Sequence, residues 1–161
     1  MTILPMIQIK KAQKKDIPDI ALLWKDKLQA FWTKEMIETS FKKEGVYTVI
    51  AVCAHYPEAS QKNVGFLMAS LEGDAELYAL VINKAYQRQG IGELLLKNLI
   101  DFLKNKKIFS LFLEVAEDNE KARTFYEKQG FKKIGERLSY YSKKMGGKDL
   151  RVKALVLRKN F

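Results

Sequence analysis

Gln87-Arg88-Gln89-Gly90-Ile91-Gly92 is the stretch on which the reading of this chain turns. It joins an apolar segment of strand character, residues 76–82, to the longest amphipathic run. There Ile91, Leu94, Leu95, Leu99, Phe102 and Leu103 recur close to helical spacing. A helix start exposes unpaired N–H groups and carries about half a positive charge, so it favours a phosphate. Glycines at that point let the backbone approach a pyrophosphate with no Cβ in the way, and Arg88 adds a permanent cation. The plainer reading is a tight glycine turn that binds nothing. Two other phosphate motifs do not fit. A Walker loop needs Gly-Lys-Ser/Thr, which is absent. A dinucleotide fingerprint needs a third glycine and a parallel βαβ unit, whereas the strand here reads as part of an antiparallel meander.

Upstream of that stretch, residues 6–11 read as a strand. Residues 15–28 place Ile17, Ile20, Ala21, Leu23, Trp24 and Leu28 at near-helical spacing, with Pro18 in the opening turn where its missing N–H costs little. Thr33 suits the N-cap of a second helix that buries Met36, Ile37 and Phe41 and stops at Gly45. Residues 47–54, 64–71 and 76–82 are strands separated by turn-rich stretches at 55–63 and 72–74. Downstream, residues 110–115 alternate as a strand, and residues 119–129 form a helix closed by Gly130. Residues 131–138 and 150–157 finish as strands around a loop containing Gly146-Gly147. No internal repeat, low-complexity tract or domain boundary interrupts residues 1–161, so one mixed α/β domain is expected.

Of the 161 residues, 47% are apolar and 30% charged, the balance of a chain that buries a core. No apolar run approaches the roughly 18 residues that a membrane span needs. The short apolar run at the start follows no basic segment and precedes no small-residue cleavage site, so a secretory leader is not expected. Cys53 is the only cysteine, which excludes an internal disulfide and a cysteine-rich metal site and suits a buried small hydrophobe. His55 is the only histidine, in a polar stretch beside Pro57, and supports neither a triad nor a histidine metal site. These features point to the cytoplasm and to chemistry without a metal. The net charge of +10 favours an anionic cofactor, an acidic surface or a nucleic acid. The basic residues are nevertheless spread along the chain with no basic tail, which argues against direct nucleic-acid binding.

Ala85 through Gly92 resembles the acetyl-CoA-binding motif of the GNAT acetyltransferases, whose core pattern is Gln/Arg-x-x-Gly-x-Gly/Ala. The likeness continues through Leu113-Glu114-Val115, Asn119, Ala122 and Phe125-Tyr126-Glu127-Lys128-Gln129-Gly130-Phe131, and covers at least residues 76–141. Within the superfamily the chain is similar to the RimI-type ribosomal-protein-alanine N-acetyltransferases, with lesser support from Phe31-Trp32-Thr33, Tyr140-Tyr141 and residues 146–149. The resemblance implies an α/β (α+β) fold, with a mixed, mainly antiparallel sheet flanked by about four helices. It implies that backbone groups of Leu80, Val81 and Ile82 meet the pantetheine of acetyl-CoA. By the same resemblance Arg88, Gln89, Gly90, Ile91, Gly92 and Glu93 wrap the pyrophosphate, and Asn119 contacts the cofactor. Glu93 stands where relatives often carry Arg or Lys. Its carboxylate suits the helix dipole but repels phosphate, so it is expected to point outward.

Acetyl transfer from a thioester requires a neutral amine. An α-amino group with a pKa of about 7.7–8.0 is neutral in roughly a tenth of molecules at pH 7, a lysine side chain in only about 0.04%. One well-placed carboxylate is therefore adequate for an N-terminal amine. Glu114 is the candidate base: it interrupts an apolar strand where the cofactor cleft should open, and partial burial would make it a better base. The RimI-type resemblance implies the same role for the Glu of Leu-Glu-Val. Tyr126 is the candidate acid for the departing thiolate, on a helix where Phe125 is expected to pack and Tyr126 to face the cleft. A solvated strand residue and a core aromatic are the plainer roles for these two. Direct transfer in a ternary complex is expected, most readily to the N-terminal α-amino group of a ribosomal protein. The alternatives are a small-molecule amine as acceptor, or a basic, non-catalytic module that binds ribosome or RNA.

Overall fold

The computed structural model describes residues 6–25, 33–55 and 60–161. Leu28, Phe31, Trp32 and Pro57, which enter the expectations above, lie outside the described residues. The strands are β1 (Met6–Lys11), β2 (Val46–His55), β3 (Ser60–Ser70), β4 (Ala75–Ile82), β5 (Ser110–Ala116), β6 (Lys132–Met145) and β7 (Lys148–Asn160). They form one seven-stranded sheet in the order β1-β2-β3-β4-β5-β7-β6. Among the described residues four α-helices flank it: α1 (Ile17–Lys25), α2 (Lys34–Lys42), α3 (Ile91–Asn105) and α4 (Glu120–Lys128). The antiparallel meander of β2, β3 and β4 is present as expected, β1 extends it by pairing antiparallel with β2, and His55 ends β2 instead of lying in a turn. β6 and β7 form a hairpin closed by Gly146 and Gly147, both at positive φ, as a two-residue primed turn requires.

One junction differs from the rest. β4 and β5 are parallel, and only over Ala75↔Leu111, Glu76↔Phe112 and Leu77↔Leu113. With α3 as crossover they make the parallel βαβ unit that the sequence reading set aside. The case against a dinucleotide fingerprint therefore rests on the missing third glycine alone.

Each face of the sheet carries its own core. α3 buries Ile91, Leu95, Leu96, Leu99 and Leu103 on one face, against Leu77, Leu111, Leu113 and Val115 among others. α1 and α2 bury Ile17, Ile20, Trp24 and Ile37 on the other, against Phe66, Met68, Ala79 and Val81. Two helical expectations are corrected. Leu94 is 46% exposed and Leu96 is buried in its place. The helix is turned so that its Gly92 side abuts α4, where a Cβ on Gly92 would lie 3.4 Å from Phe125 Cζ. Met36 is 44% exposed because only the Ile37 side of the two-turn α2 meets the sheet. Thr33 caps α2 as expected, its Oγ1 accepting from the Met36 N–H at 3.2 Å.

Candidate acetyl-transfer site

The β4–β5 junction is tied at one end and open at the other. At the tied end Ser110 Oγ donates to Asp74 Oδ1 at 3.2 Å, and Arg158 Nη2 donates to Ser110 Oγ at 3.2 Å. Beyond Leu77 the strands part. Tyr78 is the extra residue of a β-bulge, since Met68 faces Ala79 while Ala69 faces Leu77. A bulge adds local twist and ends pairing. It also resets the alternation: Leu77 packs toward α3, Tyr78 and Ala79 both toward α1 and α2, and Leu80 and Ile82 toward α3 again.

Among the described residues, the β5-facing edge of β4 has no strand partner from Ala79 to Ile82. Backbone N–H groups alternate sides along a strand. The Asn83 N–H donates to Val64 C=O in β3 at 2.8 Å, so Ile82 and Leu80 turn their amides toward the opening. Ile82 C=O accepts there from Gln87 Nε2 at 3.1 Å. Val81 is buried on the α1–α2 face.

α3 begins beside this edge. Gly90 occupies the N-cap at φ +79°, a left-handed conformation that costs a glycine nothing, and Arg88 takes φ +65° just before it. The first intrahelical bond runs from the Leu94 N–H to Gly90 C=O at 3.0 Å. The N–H groups of Ile91, Gly92 and Glu93 therefore carry no intrahelical partner, and glycine supplies no side-chain cap. A Cβ on Gly90 would meet nothing within 4 Å, so the space outside this turn is open. Gly92 is constrained differently, by Phe125 and Ile82. Arg88 and Gln89 are exposed, Gln89 Nε2 reaching Ala85 C=O at 3.4 Å, and Glu93 is exposed in the first turn. Lys62 Nζ lies 5.9 Å from the centre of the Tyr86 ring, which brings a cation from β3 to the same loop. The sequence reading missed it because Lys62 and Tyr86 lie far apart in the chain. Open space, unpartnered N–H groups and cations together fit a pyrophosphate.

Glu114 is the first β5 residue past the last β4 pair. Leu113 and Val115 point into the α3 core, so Glu114 projects from the opposite face, with its side chain 13% exposed. Arg137 Nε, from β6, lies 3.1 Å from Glu114 Oε1. It reaches across β7, where Ala154 is its register partner. The sequence reading found no signal for this pair, because β6 is not a neighbour of β5.

Tyr126 is placed differently from expectation. It is the buried residue of α4, 9% exposed, with ring centroids 5.2 Å from Phe125 and 5.5 Å from Phe131. Phe125 is half-buried against Gly92. Phe125 packs at the start of α3 against Gly92, and Tyr126 packs into the core on the α3 side of the sheet. Asn119 caps α4, its side-chain oxygen accepting from the Ala122 N–H at 3.2 Å. Tyr140 and Tyr141 lie in β6, with their side chains outside the description.

A parted parallel strand pair thus stands beside a glycine-capped helix start. The family model of the acetyltransferase (GNAT) family matches residues 17–131, and the chain belongs to that family. It is 41% identical over 87 residues to the [ribosomal protein bS18]-alanine N-acetyltransferase of Haemophilus influenzae, over 53% of this chain and 59% of that one. The chain thus matches little more than half the length of this relative. The crystal structure of the ribosomal-protein-S18-alanine N-acetyltransferase from Escherichia coli superposes with a TM-score of 0.80 at 25% identity, covering 96% of this chain and 94% of that one. A GNAT family acetyltransferase from Elizabethkingia anophelis, solved with acetyl-CoA bound, shares the fold at a TM-score of 0.73 and 20% identity over 96% and 98% of the two chains. No helix among the described residues is long and apolar enough to cross a membrane.

Proposed function

We propose that this chain transfers the acetyl group of acetyl-CoA to the N-terminal α-amino group of a protein, in the cytoplasm, with an alanine-initiated ribosomal protein as acceptor. One observation carries the reading: β4 and β5 part immediately before Glu114, beside a helix start with three N–H groups lacking intrahelical partners. Acetyl-CoA is the acetyl-donating substrate. Its pyrophosphate lies on the segment Arg88 to Glu93, with Asn119 flanking, and its pantetheine runs along the open edge at Leu80–Ile82. Residues 1–161 act as one unit in this scheme, since β6 and β7, beyond the matched residues, complete the sheet next to β5.

Glu114 takes a proton from the acceptor amine, directly or through a water, and the free amine attacks the thioester carbonyl. The amides of Leu80 and Ile82 face the position where the carbonyl oxygen gains charge. Collapse of the tetrahedral adduct expels the CoA thiolate, which takes a proton from the Tyr126 hydroxyl, and the proton that the adduct nitrogen sheds on becoming an amide passes through water to the Tyr126 phenolate. No enzyme nucleophile is involved. Cys53 is buried, 0% exposed, on β2.

The test is a turnover assay with acetyl-CoA and three acceptors: an alanine-initiated bS18 peptide, the same peptide blocked at its N-terminus, and a polyamine. The expected outcome is acetylation of the free peptide alone, at the α-amine by mass spectrometry. Polyamine acetylation would favour the small-amine reading, and no turnover with any acceptor would overturn catalysis.

A further inference from the structure

Glu76 sits on β4 opposite Phe112, one pair before the strands part. Ala75 and Leu77 on either side are buried under α3, so Glu76 projects from the face that also bears Glu114. The two carboxylates thus stand on adjacent strands at the mouth of the opening. Their surroundings differ. Glu114 receives Arg137 at 3.1 Å. Among the described residues, Glu76 has no hydrogen bond or ion pair at contact distance, although it is half-buried. Burial first, and then the charge of Glu114, hold its carboxyl above the ordinary value, while Arg137 opposes them. Among the described residues, two carboxylates and one guanidinium leave one negative charge unmatched at the site. A half-buried charge without a partner is costly to maintain and is characteristic of a site that awaits a ligand of opposite sign.

We infer that Glu76 is the ammonium-binding, specificity-determining residue of the acceptor site. Its carboxylate accepts hydrogen bonds from the protonated α-amino group of the incoming chain and holds it beside Glu114. The inference rests on the function proposed above and adds what that reading lacks, a group that recognises the acceptor before deprotonation. Glu114, already engaged by Arg137, is less free to bind the cation and is left to take its proton. A neutral terminus, such as an acetylated one, leaves the charge of Glu76 unmatched, so the same residue favours product release.

The experiment compares the wild type, Glu76→Gln and Glu76→Asp with two peptides of one sequence, one ending in its α-amine and one with a hydroxyl in that place. Hydrogen bonds to charged groups are worth enough that Glu76→Gln should raise the KM of the amine peptide about tenfold or more, with kcat within about twofold. The inhibition constant of the hydroxyl peptide and the KM of acetyl-CoA should not move. Glu76→Asp, which keeps the charge, should recover part of the loss. An unchanged KM in Glu76→Gln overturns the inference, and so does an equal loss for both peptides, which would signal altered shape. Calorimetric titration of both peptides separates this from the reaction itself. If the wild type prefers the amine peptide and Glu76→Gln does not, but nothing is acetylated, the transfer reading fails and the ammonium site stands.

Discussion

The two ends of the β4–β5 junction are made by the same pair of strands and behave as opposites. At one end Asp74, Ser110 and Arg158 tie the strands with side-chain hydrogen bonds. At the other a bulge at Tyr78 turns the strands apart, leaving backbone groups of β4 outside the ladder and two carboxylates at the opening, of which Glu114 is engaged by Arg137. The tied end lets the open end exist. Three parallel pairs alone are a short seam, and polar groups withheld from a ladder cost free energy unless something else satisfies them. Substitutions at the open end should therefore change chemistry and binding, and those at the tied end stability.

The largest expected effect is at the open end. Glu114→Gln should lower turnover by about 10²–10⁴-fold with acetyl-CoA affinity nearly constant, and the rate should partly recover at high pH, where more of the amine is already neutral. Tyr126→Phe should lower turnover toward the bottom of that range without alkaline recovery. One pH–rate experiment over pH 6–9 distinguishes them, and wild-type rates in both variants would remove the acid–base assignment.

Next comes the helix start. Gly90→Val forces a β-branched residue to φ +79°, a strain of roughly 1–3 kcal/mol that the turn can shed by losing the cradle geometry. Acetyl-CoA affinity should fall about tenfold, read by calorimetry on a variant that still melts cooperatively. A folded variant with unchanged affinity would move the phosphates elsewhere.

Ser110→Ala tests the other side of the comparison. It removes a donor to Asp74 and an acceptor for Arg158, and should cost about 1 kcal/mol in denaturant unfolding with kcat unchanged. A large loss of activity at constant stability would mean that the tied end does more than tie.

The smallest effect concerns Glu76. Its carboxyl is held above its ordinary value, so the folded state disfavours the ionised form. That penalty is fully present at neutral pH, shrinks as pH falls through the raised value, and is gone below the ordinary carboxylate range. Glu76→Gln should accordingly raise Tm slightly at pH 7, with the difference vanishing in acid. A difference that grows in acid would reverse the assignment.

The contrast also explains what the sequence could reveal. Gly90 was legible because a helix start, a strand before it and a glycine leave a local trace within a few residues. Glu114 was legible for a similar reason, as one charge in an apolar alternation. Arg137 was not, because it reaches Glu114 across an intervening strand. The bulge at Tyr78 leaves no mark in the alternation of a strand that is apolar on both faces. Phe125 packs as expected, but Tyr126 is the more buried of the two, because helical phase gives the angle between neighbours and not how deeply each enters the core.

The placement of β7 has a consequence for how the molecule assembles. β7 lies between β5 and β6 in space but follows both in the chain. Until it inserts, β6 cannot reach the sheet, and Arg137 has no route to Glu114. The β6–β7 hairpin is local and its glycine turn closes fast, so it is suited to form first and dock onto β5 as a pre-made ribbon. Glu114 then acquires its partner in the same step that finishes the sheet, and a chain arrested before that docking holds its carboxylate without the guanidinium that pairs with it.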